Sequence, residues 1–303
     1  MYKDHLTLKY VLSKWQLFIL LLPALATLIV FSYIPMYGVL IAFQNFTSGS
    51  IWDNQWVGLR HFQDFFSSAM FDVVLRNTLL LSIGSIIFGF PMPIIFALLL
   101  NQLRFQRFKR FVQTVSYAPF FISTVVMVSM LNLFLAPSNG VINILLNMIG
   151  IDSINFMVRA EWFRPVFIIS EIWQTTGWSA IIYLAALSAI SPDLYEASTI
   201  DGANKFQRIY YIDIPSIVPT VVILLILRVG NLMSVGFERV LLMQQGMNIT
   251  ASEIIATYVY KIGLMGAQHS LASAIGLFNS VVNFILLIAV NAFLKKISGS
   301  GLW

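Results

Sequence analysis

Cysteine is absent from this 303-residue chain, which excludes disulfides, zinc–thiolate sites, iron–sulfur clusters and thiol nucleophiles. Histidine occurs only as His5, His61 and His269, too few and too scattered for a metal cluster. Charge is the larger deficit. Asp, Glu, Lys and Arg supply 10% of the residues, against about 25% in an ordinary soluble domain. Such a chain cannot cover its surface with charge, and its mean hydropathy of +0.83 says the same. A soluble enzyme, a disordered chain and a nucleic-acid binder are excluded. No Gly-x-x-x-x-Gly-Lys-Ser/Thr loop is present, so the chain is not expected to hydrolyse ATP itself.

What is abundant is apolar sequence, 58% of the chain. A membrane helix needs about 20 mostly apolar residues. Charge-poor stretches predict six spans, near 16–42, 77–100, 112–135, 165–189, 215–235 and 271–293. Only Glu171 and Arg228 lie within them. Lys3, Lys9 and Lys14 before an apolar run, with Ala24-Leu25-Ala26 beyond, resemble a signal peptide, but the run continues through Ile34 and predicts a retained helix. With the first terminus inside, the inner segments carry Lys3, Lys9, Lys14, Arg104, Arg107, Lys109, Arg110, Lys205, Arg208, Lys295 and Lys296. The outer segments carry fewer: Arg60, Arg76, Arg159, Arg164, Arg239 and Lys261. This bias predicts a multi-pass protein with both termini in the cytoplasm. The expected organisation is an N-terminal segment (1–15), a first helix with an outer segment (16–76), a five-span core (77–293) holding an inner loop at 191–215, and a tail (294–303).

The outer segments are expected to be more than turns. Residues 43–71 carry Phe43, Phe46, Trp52, Trp56, Phe62, Phe65, Phe66 and Phe71, which predicts an interfacial anchoring helix. Residues 136–162 open on Pro137-Ser138-Asn139-Gly140, a turn signal. Val141, Ile144, Leu145 and Met148 then follow at helical spacing. Residues 236–262 contain Gln245-Gly246, an Asn248 expected to face solvent, and a short helix over 252–261.

The inner loop from Ser191 to Pro215 stands apart. Ser191 suits an N-cap and Pro192 the first helical position. Asp193 and Glu196 favour a helix start, and Asp201-Gly202 favours its end. A second short helix, with Phe206, Ile209 and Tyr210 on one side, is expected before Pro215 opens the fifth span. Two short helices joined by a glycine can act as a lever on the spans they adjoin.

Glu196-Ala197, Asp201-Gly202-Ala203 and Ile212-x-Ile214-Pro215 resemble the EAA loop of ATP-binding cassette (ABC) importer permeases. That pattern is Glu-Ala-Ala, a Gly four residues on, and Ile-x-Leu-Pro about nine residues later. Ser198 replaces its second Ala and Ile214 its Leu, both mild changes. Pro35-Met36-Tyr37-Gly38, Phe88-Gly89-Phe90-Pro91, Phe108-Lys109-Arg110, Tyr117-Ala118-Pro119, Gly177-Trp178, Gly236-Phe237-Glu238 and Gly301-Leu302-Trp303 are similar to the polysaccharide-type sugar permeases of the maltose-transporter-like superfamily. The resemblance implies an all-α, type I importer fold in a bacterial cell membrane. It also implies a second permease as heterodimer partner, two ATPase subunits carrying ATP and Mg2+, and an extracytoplasmic solute-binding protein. Residues 192–205 would form a coupling helix seated on the ATPase. In it Glu196 would contact the ATPase or cap the helix, Ala197 and Ser198 would pack closely, and Gly202 would turn the chain. Asp201, Ala203, Ile212 and Pro215 complete that motif.

For the substrate path, charged groups inside a bilayer need a partner or water. At 100° per residue Glu171, Gln174 and Trp178 share a face, with Trp173 nearby, and suit a sugar's hydroxyls and apolar ring face. Asn231, Asn279 and Asn283 are further candidates, against the plainer reading of hydrogen bonds between helices. A secondary transporter would want inverted repeats or a carboxylate cluster. A membrane enzyme would want converging acids. The acids of the outer segments (Asp53, Asp64, Asp72, Asp152, Glu161, Glu238 and Glu253) are instead dispersed.

Overall fold

A computed structural model describes residues 14–47, 49–299 and 301–303. The helices run α1 (Trp15–Phe43), α2 (Arg60–Phe66), α3 (Ala69–Asn101), α4 (Gln106–Phe121), α5 (Thr124–Phe134), α6 (Val141–Met148), α7 (Ala160–Ser188), α8 (Pro192–Ile200), α9 (Lys205–Gly230), α10 (Phe237–Met243), α11 (255–265) and α12 (His269–Ser298). Four of them, α1, α3, α9 and α12, are each long and apolar enough to cross a membrane. The bent pairs α4–α5 and α7–α8 raise the count to six. The fold is an all-α, multi-pass bundle.

The element boundaries correct several expectations. The third span is not one helix over 112–135: α4 and α5 meet at 99°. Pro119 lies in a tight 3-10 turn, and Ser123 starts a new helix by accepting the Val126 N–H. The chain turns through about a right angle here because a fresh N-cap competes with continuation. The second short helix of the inner loop is likewise not separate. Residues 205–230 form one run, with a π-helical stretch at 209–213 just before Pro215. Proline has no N–H to donate, and the wider turn absorbs that loss without ending the helix. The expected boundary between residues 76 and 77 falls inside α3, which starts at Ala69 after Ser68.

The aromatic segment is not one interfacial helix. Gln44–Asn45 and Gln55–Trp56 pair as a two-residue antiparallel ribbon, and α2 follows. Phe65 is fully buried and joins Phe66, Phe71 and Phe278 in an edge-to-face cluster that pins this segment to α12. Trp52 and Trp56 remain exposed. α1, by contrast, offers its apolar surface outward, and of its residues only Ala42 is buried. A helix of such composition is stable there only if hydrocarbon covers it.

Three apolar clusters build the core. One joins α7 to the outer segments through Phe163, Phe167, Val240, Met243 and Ile254. A second packs α3 on α7 and α9 through Ala97, Leu100, Ala180, Tyr183, Leu187 and Ile217. The third gathers Phe65, Val74, Met233, Ile255 and Ile275. Close approach is set by glycine at one position above all. A Cβ on Gly177 would fall 2.0 Å from the Ser116 carbonyl oxygen, so α7 and α4 touch backbone to backbone.

Buried polar groups pin the end of the bundle opposite the inner loop. Asn248 is not solvent-facing but fully buried: its Nδ2 donates to the carbonyls of Met157 and Met243. Glu253 pairs with Lys261 at 2.5 Å. Asn77 of α3 donates to the carbonyls of Thr250 and Glu253 and accepts from Arg164 of α7. Asn143 is wholly buried and donates to the carbonyls of Leu135, Ala136 and Ile154, closing the 136–156 loop on itself.

Candidate functional site: the inner loop and a central cavity

Two places bring the predicted residues together. At the inner loop, the Ser191 hydroxyl accepts the Asp193 N–H, and Pro192 occupies the first turn of α8. Gly202 has φ +73°. Its N–H donates to the Thr199 carbonyl, and the Ala203 N–H donates to that of Ser198. This pair of bonds closes a helix on a left-handed residue, the position that glycine fills without strain. No other group lies within 4 Å of where a Gly202 Cβ would be. The backbone angle alone therefore selects glycine here. Asn204 then caps α9 reciprocally with Gln207.

Asp213 is the residue that sequence reasoning passed over. It is fully buried beside the π-helical stretch of α9. The Tyr195 hydroxyl of α8 donates to its Oδ1 at 2.5 Å, and Gln102, following α3, donates to its Oδ2 at 2.9 Å. One carboxylate thus clamps α8 to the inner ends of α3 and α9. Burial, and then the hydrogen bond and charge of Asp213, push the Tyr195 phenol up to about 12. The phenol stays protonated and keeps donating across the physiological range.

Glu196, Ala197, Asp201, Gly202 and Pro215 are exposed, while Ser198, Ala203 and Ile212 are half-buried. Ser198 bonds the Tyr195 carbonyl within its own helix. Glu196 makes no side-chain hydrogen bond or ion pair among the described residues, so it does not cap α8. Leu194, Ile200, Phe206, Tyr210 and Tyr211 are exposed as well. The clamp therefore holds up an apolar surface that this chain does not itself cover.

The second place is a cavity of 580 Å³ bounded by α3, α4, α7 and α9. Glu171, Thr175, Trp178 and Ile182 line it from α7, an i, i+4, i+7, i+11 stripe, and Arg228 lines it from α9. Arg228 pairs with Glu171 at 2.6 Å, and the Ser85 hydroxyl donates to the other Glu171 oxygen at 2.5 Å. Trp178 stacks on Phe120, ring centroids 4.6 Å apart and planes within 4°, with Phe121 edge-on. The break between α4 and α5 is what delivers those two phenylalanines.

The other expected path residues lie elsewhere. Gln174 is buried, donates to the Ile122 carbonyl and accepts from Arg239, whose guanidinium sits over Phe167. Trp173 lines a separate apolar hollow against α5 and α6. Asn231 bonds the Leu227 carbonyl one turn back. Asn279 and Asn283 of α12 both reach the Ser234 hydroxyl, and Asn283 accepts the Met233 N–H. In this chain those three amides tie helices and turns together.

A family model for the binding-protein-dependent transport system inner membrane component matches residues 89–299. The chain belongs to that family. The permease is 42% identical over 292 residues to Protein LplB of Bacillus subtilis (strain 168), covering 96% of this chain and 92% of the relative. It is 40% identical over 302 residues to the polygalacturonan/rhamnogalacturonan transport system permease protein YteP of the same organism, covering 99% and 94%. Among solved structures, a chain of a bacterial alginate ABC transporter, in complex with alginate pentasaccharide-bound periplasmic protein, superposes with TM-score 0.90 at 39% identity, covering 97% of the permease and 99% of that chain. The protein is a multi-pass permease subunit of a binding-protein-dependent ABC importer, and not an enzyme.

Proposed function

We propose that the permease forms half of the path of an ATP-driven oligosaccharide importer and takes force from an ATPase through α8. The clamp centred on Asp213 carries this reading. It presents an exposed apolar helix while fixing that helix to the ends of two spans, as transmission of a push requires. ATP and Mg2+ belong to two partner ATPase subunits, because this chain has no phosphate loop. A second, homologous permease supplies the other half of the path, and a solute-binding protein delivers the sugar to the end opposite α8. Both termini and the 191–215 loop face the cytoplasm, in keeping with the excess of Lys and Arg there. Glu171, Trp178 and Arg228 face the solute within the cavity.

ATP dependence is the test. Sealed inside-out vesicles holding the whole transporter, with binding protein and labelled oligosaccharide enclosed, are expected to release sugar outward on adding ATP. A proton ionophore is expected to leave the rate unchanged. Release that the ionophore abolishes, with ATP having no effect, would instead favour a secondary transporter.

A further inference from the structure

The charges near the middle of the bundle do not balance. Glu171 is the acid there, against two arginines, of which one pairs with it. Arg228 pairs with it at 2.6 Å, and Arg239 brings a second positive charge to the same helix by donating to Gln174, three residues on from Glu171. Arg239 is held by Gln174 and the face of Phe167, and its Nη1 is buried with no partner. Charged groups at such depth are stable when paired. Here one positive charge is in excess, and of the two arginines it is Arg228 that lines the 580 Å³ cavity.

The two partners of the ion pair differ in freedom. The Glu171 side chain is 16% exposed and is anchored through its second oxygen by Ser85. The Arg228 side chain is 45% exposed and, among the described residues, makes only the Glu171 contact. Arg228 can leave without stranding Glu171, because Ser85 and the field of Arg239 remain. A guanidinium offers planar, two-pronged donation that fits a carboxylate.

We propose that Arg228 is the specificity-determining residue for anionic sugars: a uronate carboxylate entering the cavity displaces Glu171 from Arg228 and supplies the missing negative charge. Glu171 acts as the resting stand-in for that carboxylate. This rests on the oligosaccharide-import reading and sharpens it to a substrate class. No covalent change is involved, only exchange of one carboxylate for another on the same donor.

The test compares trigalacturonate with its fully methyl-esterified form, which keeps the sugar and removes the charge. Uptake by cells carrying the complete transporter is measured for wild type, Arg228→Gln, Arg228→Lys and the double variant Glu171→Gln/Arg228→Gln. The binding protein is the same throughout, so a changed preference belongs to this chain. Arg228→Gln is expected to lower free-acid uptake about tenfold more than ester uptake, with Arg228→Lys between. The double variant leaves no unpaired charge on Glu171 and is expected to show the same loss of preference, should the single variant fail to insert. Equal loss of both forms, in the double variant as in the single, would reduce Arg228 to a structural tie. Wild-type uptake of the ester alone would also overturn the assignment. Uptake of neither form by wild type would also overturn the assignment, while oligosaccharide import itself stands or falls on the ATP-driven release described above.

Discussion

A single buried carboxylate, Asp213, holds the inner loop in place. Tyr195 and Gln102 both donate to it, and it has no exposure to solvent. Replacing Tyr195 by Phe keeps the ring and removes the donor, at a cost of about 1.5–3 kcal/mol for a hydrogen bond to a charged group. Tyr195→Phe is expected to lower the melting temperature of the purified complex and to slow uptake, with membrane insertion unchanged. The pH dependence of the clamp follows from the raised phenol. Its contribution is complete below pH 10.0, the ordinary value, and is lost as pH rises through about 12. Tyr195→Phe is therefore expected to flatten any alkaline loss of stability in that window, measured by thermal melts across pH. Gly177 makes the opposite kind of demand. A methyl group there meets the Ser116 backbone at 2.0 Å and has no room to turn away. Gly177→Ala is expected to destabilise by about 1–3 kcal/mol and to disturb the neighbouring Trp178–Phe120 stack, read as a change in tryptophan fluorescence. Neither Asp213 nor the Gly177 contact was legible in the sequence in these terms. The partners of Asp213 lie 18 and 111 positions away, so nothing local marks it beyond a lone acid just before Ile214-Pro215.

Elements were legible where their ends are local chemistry. Ser191-Pro192 starts α8 and Gly202 ends it, as capping and left-handed backbone dictate. The exchange of Gly202 separates backbone need from space. Gly202→Val is expected to abolish uptake with the protein still inserted. Gly202→Asn, a residue that tolerates positive φ, is expected to retain most of it. Equal failure of both would point to a contact made by the glycine surface itself. Long apolar runs were legible as spans, but breaks inside them were not. The stretch 112–135 carries no charge, so counting charge hides the 99° bend that Pro119 and Ser123 create. The π-helical stretch at 209–213 misled in the other direction, since Pro215 reads as a start and lies inside a continuous helix. Helical spacing placed Glu171 and Trp178 correctly on one stripe, yet put Gln174 with them. The 60° between Glu171 and Gln174 suffices to turn Gln174 onto Ile122 and Arg239 instead.

Across the whole molecule, three groups of charged residues mark three levels of the bundle. Asp213 clamps the inner end, Glu171 and Arg228 face the cavity, and Glu253 with Lys261 closes the opposite end. The proposed topology puts the inner loop and the 244–265 segment on opposite sides of the membrane. Positions 201 and 247 are both exposed, unlike buried Asn248, so cysteines placed there are accessible to a thiol reagent. In this naturally cysteine-free chain, Met247→Cys is expected to label with an impermeant maleimide from outside, and Asp201→Cys only after the membrane is opened. If α8 takes force from an ATPase, the two must touch, and cross-linking reads that contact. A Glu196→Cys permease in the intact complex, scanned against single cysteines along the surface groove of the ATPase, is expected to form a disulfide at one groove position, with a yield that changes when ATP closes the ATPases. A complex that transports while Glu196→Cys cross-links to no ATPase position, with or without nucleotide, would contradict it.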